Sequence, residues 1–481
     1  MLLNLLILLY VACAVSLTVY ACSQLFLLVV YLRHRHDAVP TPAVNEWPTV
    51  VVQLPLYNER YVVGRLLDAM AALDYPREKL TVQVLDDSTD TTVEITAAKV
   101  AVLSADGLNI QHVRRLERTG YKAGALAYGM TLTDAEYMMV LDADFVPPPD
   151  FLRKTIPHLV TRPKLGMVQT RWGHLNPFGN LLTLGQTLAL DSHFVVEQTA
   201  RSRGGWLMTF NGSGGVWRTK CIQEAGGWRD LTLTEDLDLS YRAQLAGWEF
   251  LYLPDVVVPG ELPPQIAAYK QQQARWAKGT TQTLGHTLSP LWRSDFSLSR
   301  RVMATLHLCQ YMPHPLMMVL LILTPPLLVT NSLQHLSLSV LGVVGLVTPL
   351  IYVISQQALY IDWAKRLMAF PVLMALGTGI AWSNTQAVLS GLLGRSTEFR
   401  RTPKFAKEWQ ISGYALKRDP ALWVELLLAI YSLWGTYLAL RLSPALAPWL
   451  GVYSFSFVMI VLWGIRDRMA LHRAQQVAPA Q

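Results

Sequence analysis

Three hydrophobic patterns follow one another along the 481 residues. Leu2 to Leu32 is an apolar run without a charged residue, longer than the roughly 20 residues a helix needs to cross a bilayer. From about residue 48 the pattern changes to short apolar runs, TVVVQLPL, TVQVLDD and YMMVLDAD, alternating with helical periodicity near 59–73 and 90–104. Such alternation predicts buried strands between helices, an α/β sheet with mainly parallel strands. Long apolar runs then return at about 303–329, 338–358, 367–394, 421–442 and 446–465. The expected organisation is an N-terminal membrane helix (1–36), a soluble-looking domain (37–290), a membrane region (291–470) and a tail (471–481).

Charge orients these segments. Arg33, His34 and Arg35 directly follow the first run, so the positive-inside rule puts the amino terminus outside and the α/β domain in the cytoplasm. No positive n-region or clear cleavage site accompanies that run, and it is expected to remain as a helix. Counting every later run as a span would leave the basic loop GRSTEFRRTPKFAKEW, residues 394–409, outside. Reading 367–394, with its polar patch WSNTQ, as an interfacial or re-entrant helix returns the basic loops to the inside and leaves five spans. A multi-pass protein of the plasma or inner membrane is expected, in contact with membrane lipids. The formal charge of +7 lies largely beside apolar runs, so no nucleic-acid partner is expected. Cys13, Cys22, Cys221 and Cys309 have neither metal-ligand spacing nor plausible disulfide pairing.

Candidate chemistry concentrates at strand ends and helix starts. Asp86 and Asp87 close one predicted strand, and Asp142 and Asp144 another, where open α/β sheets present ligand groups. Turn-making is the competing role for the first pair. Two acids one residue apart, beside FVPPPD, suggest a divalent cation with hard oxygen ligands, Mg²⁺ or Mn²⁺. In RTGYKAGAL, Lys122 opens a helix after a glycine turn, either as a solvated charge or as a phosphate or sugar contact. FNGSGGVWR, residues 210–218, suits a turn where backbone approaches a ligand. Thr234 followed by Glu235 and Asp236 reads as a capped helix start with acids at its positive end. If that end faces a cleft, the same pattern aims a general base at a substrate hydroxyl. In KQQQARWAKG, residues 270–279, Gln272, Arg275 and Trp276 share one helical face. Lys270 and Lys278 are expected at lipid headgroups.

Together QLPLYNE, QVLDDSTD, GYKAGAL, LDADF, FNGSGGVWR, TED and QQARW, in this order, resemble family 2 processive glycosyltransferases, most closely the cellulose-synthase-like group that includes glucomannan mannosyltransferases and β-glucan synthases. The resemblance is dense over 48–290 and looser to the end. It implies a GT-A fold and sugar transfer from a nucleotide donor with inversion. It further implies that Glu59 and Asp87 contact the nucleoside, Lys122 and Asp142 the diphosphate or sugar, and Asp144 with Asp142 the metal. Asp236 of the TED triplet Thr234–Glu235–Asp236 would take the acceptor proton, Arg275 would face the leaving diphosphate, and Trp276 with Gln272 the acceptor. The loop STEFRRTPK is similar to a gating loop, with Phe399 and Thr402 retained but Arg401 in place of valine.

The function expected on this resemblance is polymerisation of a β-linked hexose chain, glucan or mannan, from UDP-glucose or GDP-mannose, with export of the product. The alternative is a ceramide-glucosyltransferase-like enzyme that adds one hexose to a lipid acceptor. A transporter or scaffold with a degenerate sugar-nucleotide domain would require loss of acids that are all present, and the apolar runs hold almost no mid-span charge.

Overall fold

The structure is a computed structural model and describes residues 1–333, 345–395, 401–403, 405, 409–410, 413–416 and 419–477. Strands β1 (Val50–Leu56), β2 (Leu80–Asp86), β3 (Ile110–Val113), β4 (Tyr137–Val140), β5 (Leu165–His174), β6 (Gly215–Arg218) and β7 (Glu249–Gly260) form one sheet. Its order is β3-β2-β1-β4-β6-β5-β7. Strand β1 pairs in parallel with β2 and β4, β2 with β3, and β5 with β7, while β6 runs antiparallel between β4 and β5. The sheet is mainly parallel, as the alternation predicts, and the antiparallel β6 makes it the mixed α/β sheet of a GT-A-like domain.

Side chains alternate across β1 because a strand has a period of two. Val50, Val52 and Leu54 face one core layer with Leu66, Met70 and Phe151, whereas Val51 joins Met138, Leu126, Phe210 and Trp217 on the other. Each such aliphatic side chain, fully buried, stabilises the fold by roughly 1.5–3 kcal/mol. Both faces are covered, which is why these strands read as near-continuous apolar runs. The helix expected near 59–73 spans Val63–Ala71. Before it the chain turns through Asn58, at φ 57, and the Glu59 carbonyl accepts from the Val62 and Val63 amides. Glu59 is thereby left in the turn at the carboxyl end of β1.

Helices Leu2–His34, Trp363–Leu392, Leu422–Leu442 and Pro444–Ala474 have the length and apolarity of membrane spans. The 303–329 run is not one straight helix: Leu298–Leu308 and Pro313–Val329 meet at 64°, with Pro313, which lacks a backbone donor, opening the second helix. Of the 338–358 run the helix Val347–Leu359 is described, and residues 334–344 are outside the described residues.

The expectation for Lys270 and Lys278 is corrected. Both lie on the helix Ile266–Arg293 and are only 4% exposed. Lys270 Nζ donates to Asp419 (2.7 Å) and Glu425 (2.5 Å), and Lys278 Nζ to the Arg395 carbonyl (2.6 Å). Buried ammonium groups require such partners, so these cations fasten the helix to the chain beyond it instead of reaching lipid headgroups.

Candidate active site

The carboxyl ends of β1, β2 and β4 open onto a cleft of ≈ 1260 Å³. Every described residue to which the family resemblance gave a role lines it: Glu59, Asp87, Lys122, Asp142, Asp144, Thr234, Glu235, Asp236, Gln272, Arg275, Trp276 and Thr402. Phe399 lies outside the described residues. Residues up to 343 positions apart in sequence numbering, Glu59 to Thr402 (402 minus 59), are brought to one cavity by the sheet and the Ile266–Arg293 helix.

At the β2 end the two acids have different roles. Asp86 builds the turn: its Oδ1 accepts from the Ser88 amide (2.9 Å) and its Oδ2 meets His112 Nε2 (2.9 Å). Asp87 instead faces the cleft, gripped by Arg115 through Nε (3.0 Å) and a terminal nitrogen (2.5 Å). Such a bidentate fork fixes the carboxylate plane. Nearby, the Arg118 guanidinium lies 3.4 Å from the centre of the Tyr57 ring, and both line the same end of the cleft. Arg401 makes an ion pair with Glu59 at 2.8 Å.

Beyond β4, Lys122 Nζ donates to Asp142 Oδ1 (2.5 Å) and to the Gly212 carbonyl (2.8 Å), and lies 3.6 Å from Glu235. It is therefore not a solvated helix-start charge. Burial pulls its pKa down, but Asp142, Glu235 and Asp236 outweigh that and hold it above the ordinary lysine value. Asp144 is 3% exposed, and its Oδ2 accepts from the Glu261 amide (3.1 Å). Gly212 has φ +82, and a Cβ there would stand 2.8 Å from Asp236 Oδ2. The FNGSGG turn thus needs glycine for both its backbone angle and its close approach.

Thr234 occupies the N-cap position of the helix Glu235–Leu245 but makes no side-chain capping bond. Its hydroxyl lies 3.4 Å from that of Thr283 on the Ile266–Arg293 helix. A Cβ on Gly279 would meet Thr234 Cγ2 at 2.6 Å, so the two helices touch here. Asp236 Oδ1 accepts from the Leu237 amide (2.8 Å). Burial, and next the Glu235 carboxylate, push the Asp236 pKa up to about 7, against the opposing pull of Lys122, the Leu237 amide and Arg275. An acid poised there is matched to general-base work near neutral pH.

Among the described residues, no group of three or more His, Cys, Asp or Glu is placed to hold a metal ion. Asp142 and Asp144 do line one wall of the cleft, and Mg²⁺-type sites commonly use one or two carboxylates with phosphate oxygens completing the shell. Sequence reasoning missed Arg115, Arg118 and His174. The run RRLER, 114–118, carried a signal as a charge cluster after a strand, whereas His174 had none.

Residues 48–279 match the family described as Glycosyltransferase like family 2. The chain is 40% identical over 328 residues to a probable glucomannan 4-beta-mannosyltransferase 6 of Oryza sativa subsp. japonica, covering 61% of this chain and 57% of that protein. It is 45% identical over 239 residues to glucomannan 4-beta-mannosyltransferase 2 of Arabidopsis thaliana, covering 49% and 45%. The chain thus spans about half the length of the curated relatives it matches. Among solved structures, a mannosyltransferase, PcManGT, from Pyrobaculum calidifontis in complex with GDP-Man and Mn²⁺ superimposes with a TM-score of 0.56 at 22% identity, covering 81% of this chain and all of that one. At that identity the likeness is one of fold.

Proposed function

We propose that this chain, which carries a family 2 glycosyltransferase domain over residues 48–279, is a membrane-associated inverting hexosyltransferase that extends a β-linked mannan or glucomannan-type chain from a nucleotide sugar. The observation that carries the reading is Asp236, with a pKa of about 7, beside Lys122 and Arg275 in a cleft that also holds Asp142 and Asp144. Inverting transfer needs one base on the acceptor and positive charge on the leaving diphosphate, with no protein nucleophile.

The nucleoside occupies the β1–β2 end, near Glu59, Asp87 and Tyr57, and the diphosphate lies toward Lys122 and Arg275. Asp142 and Asp144 would hold a divalent cation, which when bound supplies positive charge to the diphosphate. Asp236 accepts the acceptor hydroxyl's proton as that oxygen forms its bond to the anomeric carbon. The bond from the anomeric carbon to the diphosphate breaks on the opposite face, and Lys122 and Arg275 meet the developing charge. Trp276 offers an indole face to the acceptor pyranose. Between turnovers Asp236 releases its proton, and the extended chain becomes the next acceptor.

The test is incubation of the purified protein with labelled GDP-mannose, GDP-glucose, UDP-glucose and UDP-N-acetylglucosamine, followed by product sizing and glycanase digestion. Mannanase-sensitive oligomers are expected. A lipid-extractable single sugar would replace the polymerase reading with single transfer to a lipid, and no transfer from any donor would refute it.

A further inference from the structure

A histidine–aspartate pair on the cleft wall is used by none of the roles above. His174 ends β5 and lines the cleft beside Trp172 and Leu190. Its Nε2 donates to Asp191 Oδ1 (2.9 Å), with the side chains 4% and 0% exposed. A fully buried carboxylate is costly unless its remaining oxygen is also satisfied. Asp191 Oδ2 accepts from Gln356 Nε2 (2.9 Å) on the apolar helix Val347–Leu359, and the Tyr360 hydroxyl is a further hydrogen-bond partner. The imidazole is thus held in one orientation by a carboxylate that is itself held, an arrangement that fixes which ring nitrogen faces the carboxylate.

The sheet order says which end of the cleft this ring serves. Strand β5 lies three strands from β1 in the order β1-β4-β6-β5, about 14 Å at the usual inter-strand spacing. The nucleoside end at β1 and β2 is out of its reach. His174 is instead in register with Gly260, which is followed by Glu261, whose amide meets Asp144, and by Leu262 and Pro263, which line the cleft just before the helix Ile266–Arg293 that carries Gln272 and Trp276. A polar ring here meets what enters from the helix side, past the carboxylates that face the donor's diphosphate.

We propose that His174, positioned by Asp191 and Gln356, binds the acceptor: its ring hydrogen-bonds a hydroxyl of the sugar chain whose face rests on Trp276. This rests on the transferase reading above. A site built to hydrogen-bond a hydroxyl loses affinity when the partner is removed, because the remaining group is left unpaired.

The experiment compares the full-length protein with His174→Phe, His174→Gln and Asp191→Asn in detergent, using the donor found active above and β-1,4-mannotetraose as acceptor. The apparent KM for mannotetraose should rise on the order of tenfold in His174→Phe, the size of one lost hydrogen bond to a sugar. It should rise less in His174→Gln, which keeps a polar group, while Kd for GDP and UDP stays within about twofold. Asp191→Asn should resemble His174→Gln. An unchanged acceptor KM in an active His174→Phe overturns the proposal. So does parallel weakening of nucleotide binding, which would make the pair a structural brace. A wild-type protein that transfers no sugar refutes the transferase reading itself, and is told apart by the wild-type control alone.

Discussion

Measuring kcat/KM from about pH 5.5 to about pH 9 titrates the proposed base, because only ionised Asp236 can accept the acceptor's proton. With its pKa at about 7, the carboxylate is about 9% ionised at pH 6 and about 91% at pH 8, so the rate should rise about tenfold between them. An aspartate at its ordinary pKa of about 3.9 would give a flat profile over that interval. Two substitutions move the limb in opposite directions. Glu235→Gln removes the neighbouring carboxylate that helps raise Asp236, so the limb shifts to lower pH; Lys122→Met removes a cation that favours the ionised form, so it shifts to higher pH. Asp236→Asn should lose about 10²- to 10⁴-fold in rate. Linkage gives an independent control. A folded pKa above the unfolded one stabilises the protein at low pH, and that stability is lost as pH rises from about 4 through about 7. Asp236→Asn cannot ionise and escapes the loss, so its Tm at pH 8 should equal or exceed that of the wild type. A flat wild-type profile, or Asp236→Asn retaining more than about a tenth of the rate, would refute the assignment.

Three other outcomes are expected. Lys122→Met removes a charge-assisted bond to Asp142 and the cation proposed to face the diphosphate, so kcat/KM should fall at least about tenfold at the pH optimum; an unchanged value would return Lys122 to a structural role. EDTA should abolish transfer, and Mn²⁺ or Mg²⁺ should restore it; full activity in the chelator would remove the proposed role of Asp142 and Asp144. A protease-cleavable reporter fused after Arg395 should report the same side of the membrane as one inserted in the α/β domain, and labelling from the opposite side would contradict the packing of Lys278 on Arg395.

The strands and the acids at their ends were legible because a buried parallel strand leaves a short apolar run and its exit must be polar. Asp87, Asp142 and Asp144 could be placed at one sheet edge from that pattern alone. What periodicity could not supply was partnership. Arg115 is 28 positions from Asp87, and Asp191 is 17 from His174 and 165 from Gln356, so their pairing exists only in the fold. For the same reason Asp86 and Asp87 looked alike in sequence, yet one builds a turn and the other faces the cleft. The cations of KQQQARWAKG misled in the opposite direction. Beside an apolar run, Lys270 and Lys278 fit lipid headgroups by composition, but their acceptors, Asp419, Glu425 and the Arg395 carbonyl, come from chain more than a hundred residues away.

Those same contacts limit the ways in which the apolar helices could cross a membrane. Lys278 reaches the Arg395 carbonyl, Gln271 Nε2 that of Arg401 (2.7 Å), and Gln265 Nε2 that of Leu416 (2.7 Å). The Phe405 amide donates to Glu261 (2.8 Å), and the Tyr414 hydroxyl donates to Asp90. If the apolar helices cross a bilayer, the described residues among 395–416 share the side that holds the α/β domain, which requires an even number of crossings between Arg293 and Arg395. The runs at 303–329 and 338–358 would supply two. A third complete crossing, by 363–392, would carry Arg395 to the far face, about 30 Å away. Either 363–392 does not traverse, or one of the two earlier runs does not, with the 64° bend between Leu308 and Pro313 marking where a chain could turn back. The helix Ala381–Leu392 packs along the helix Ile266–Arg293, where a Cβ on Gly391 would meet Thr281 Cβ at 2.9 Å. A helix held there, beside the residues proposed to bind acceptor and diphosphate, satisfies the charge rule and the contacts together when it stays on the domain's side.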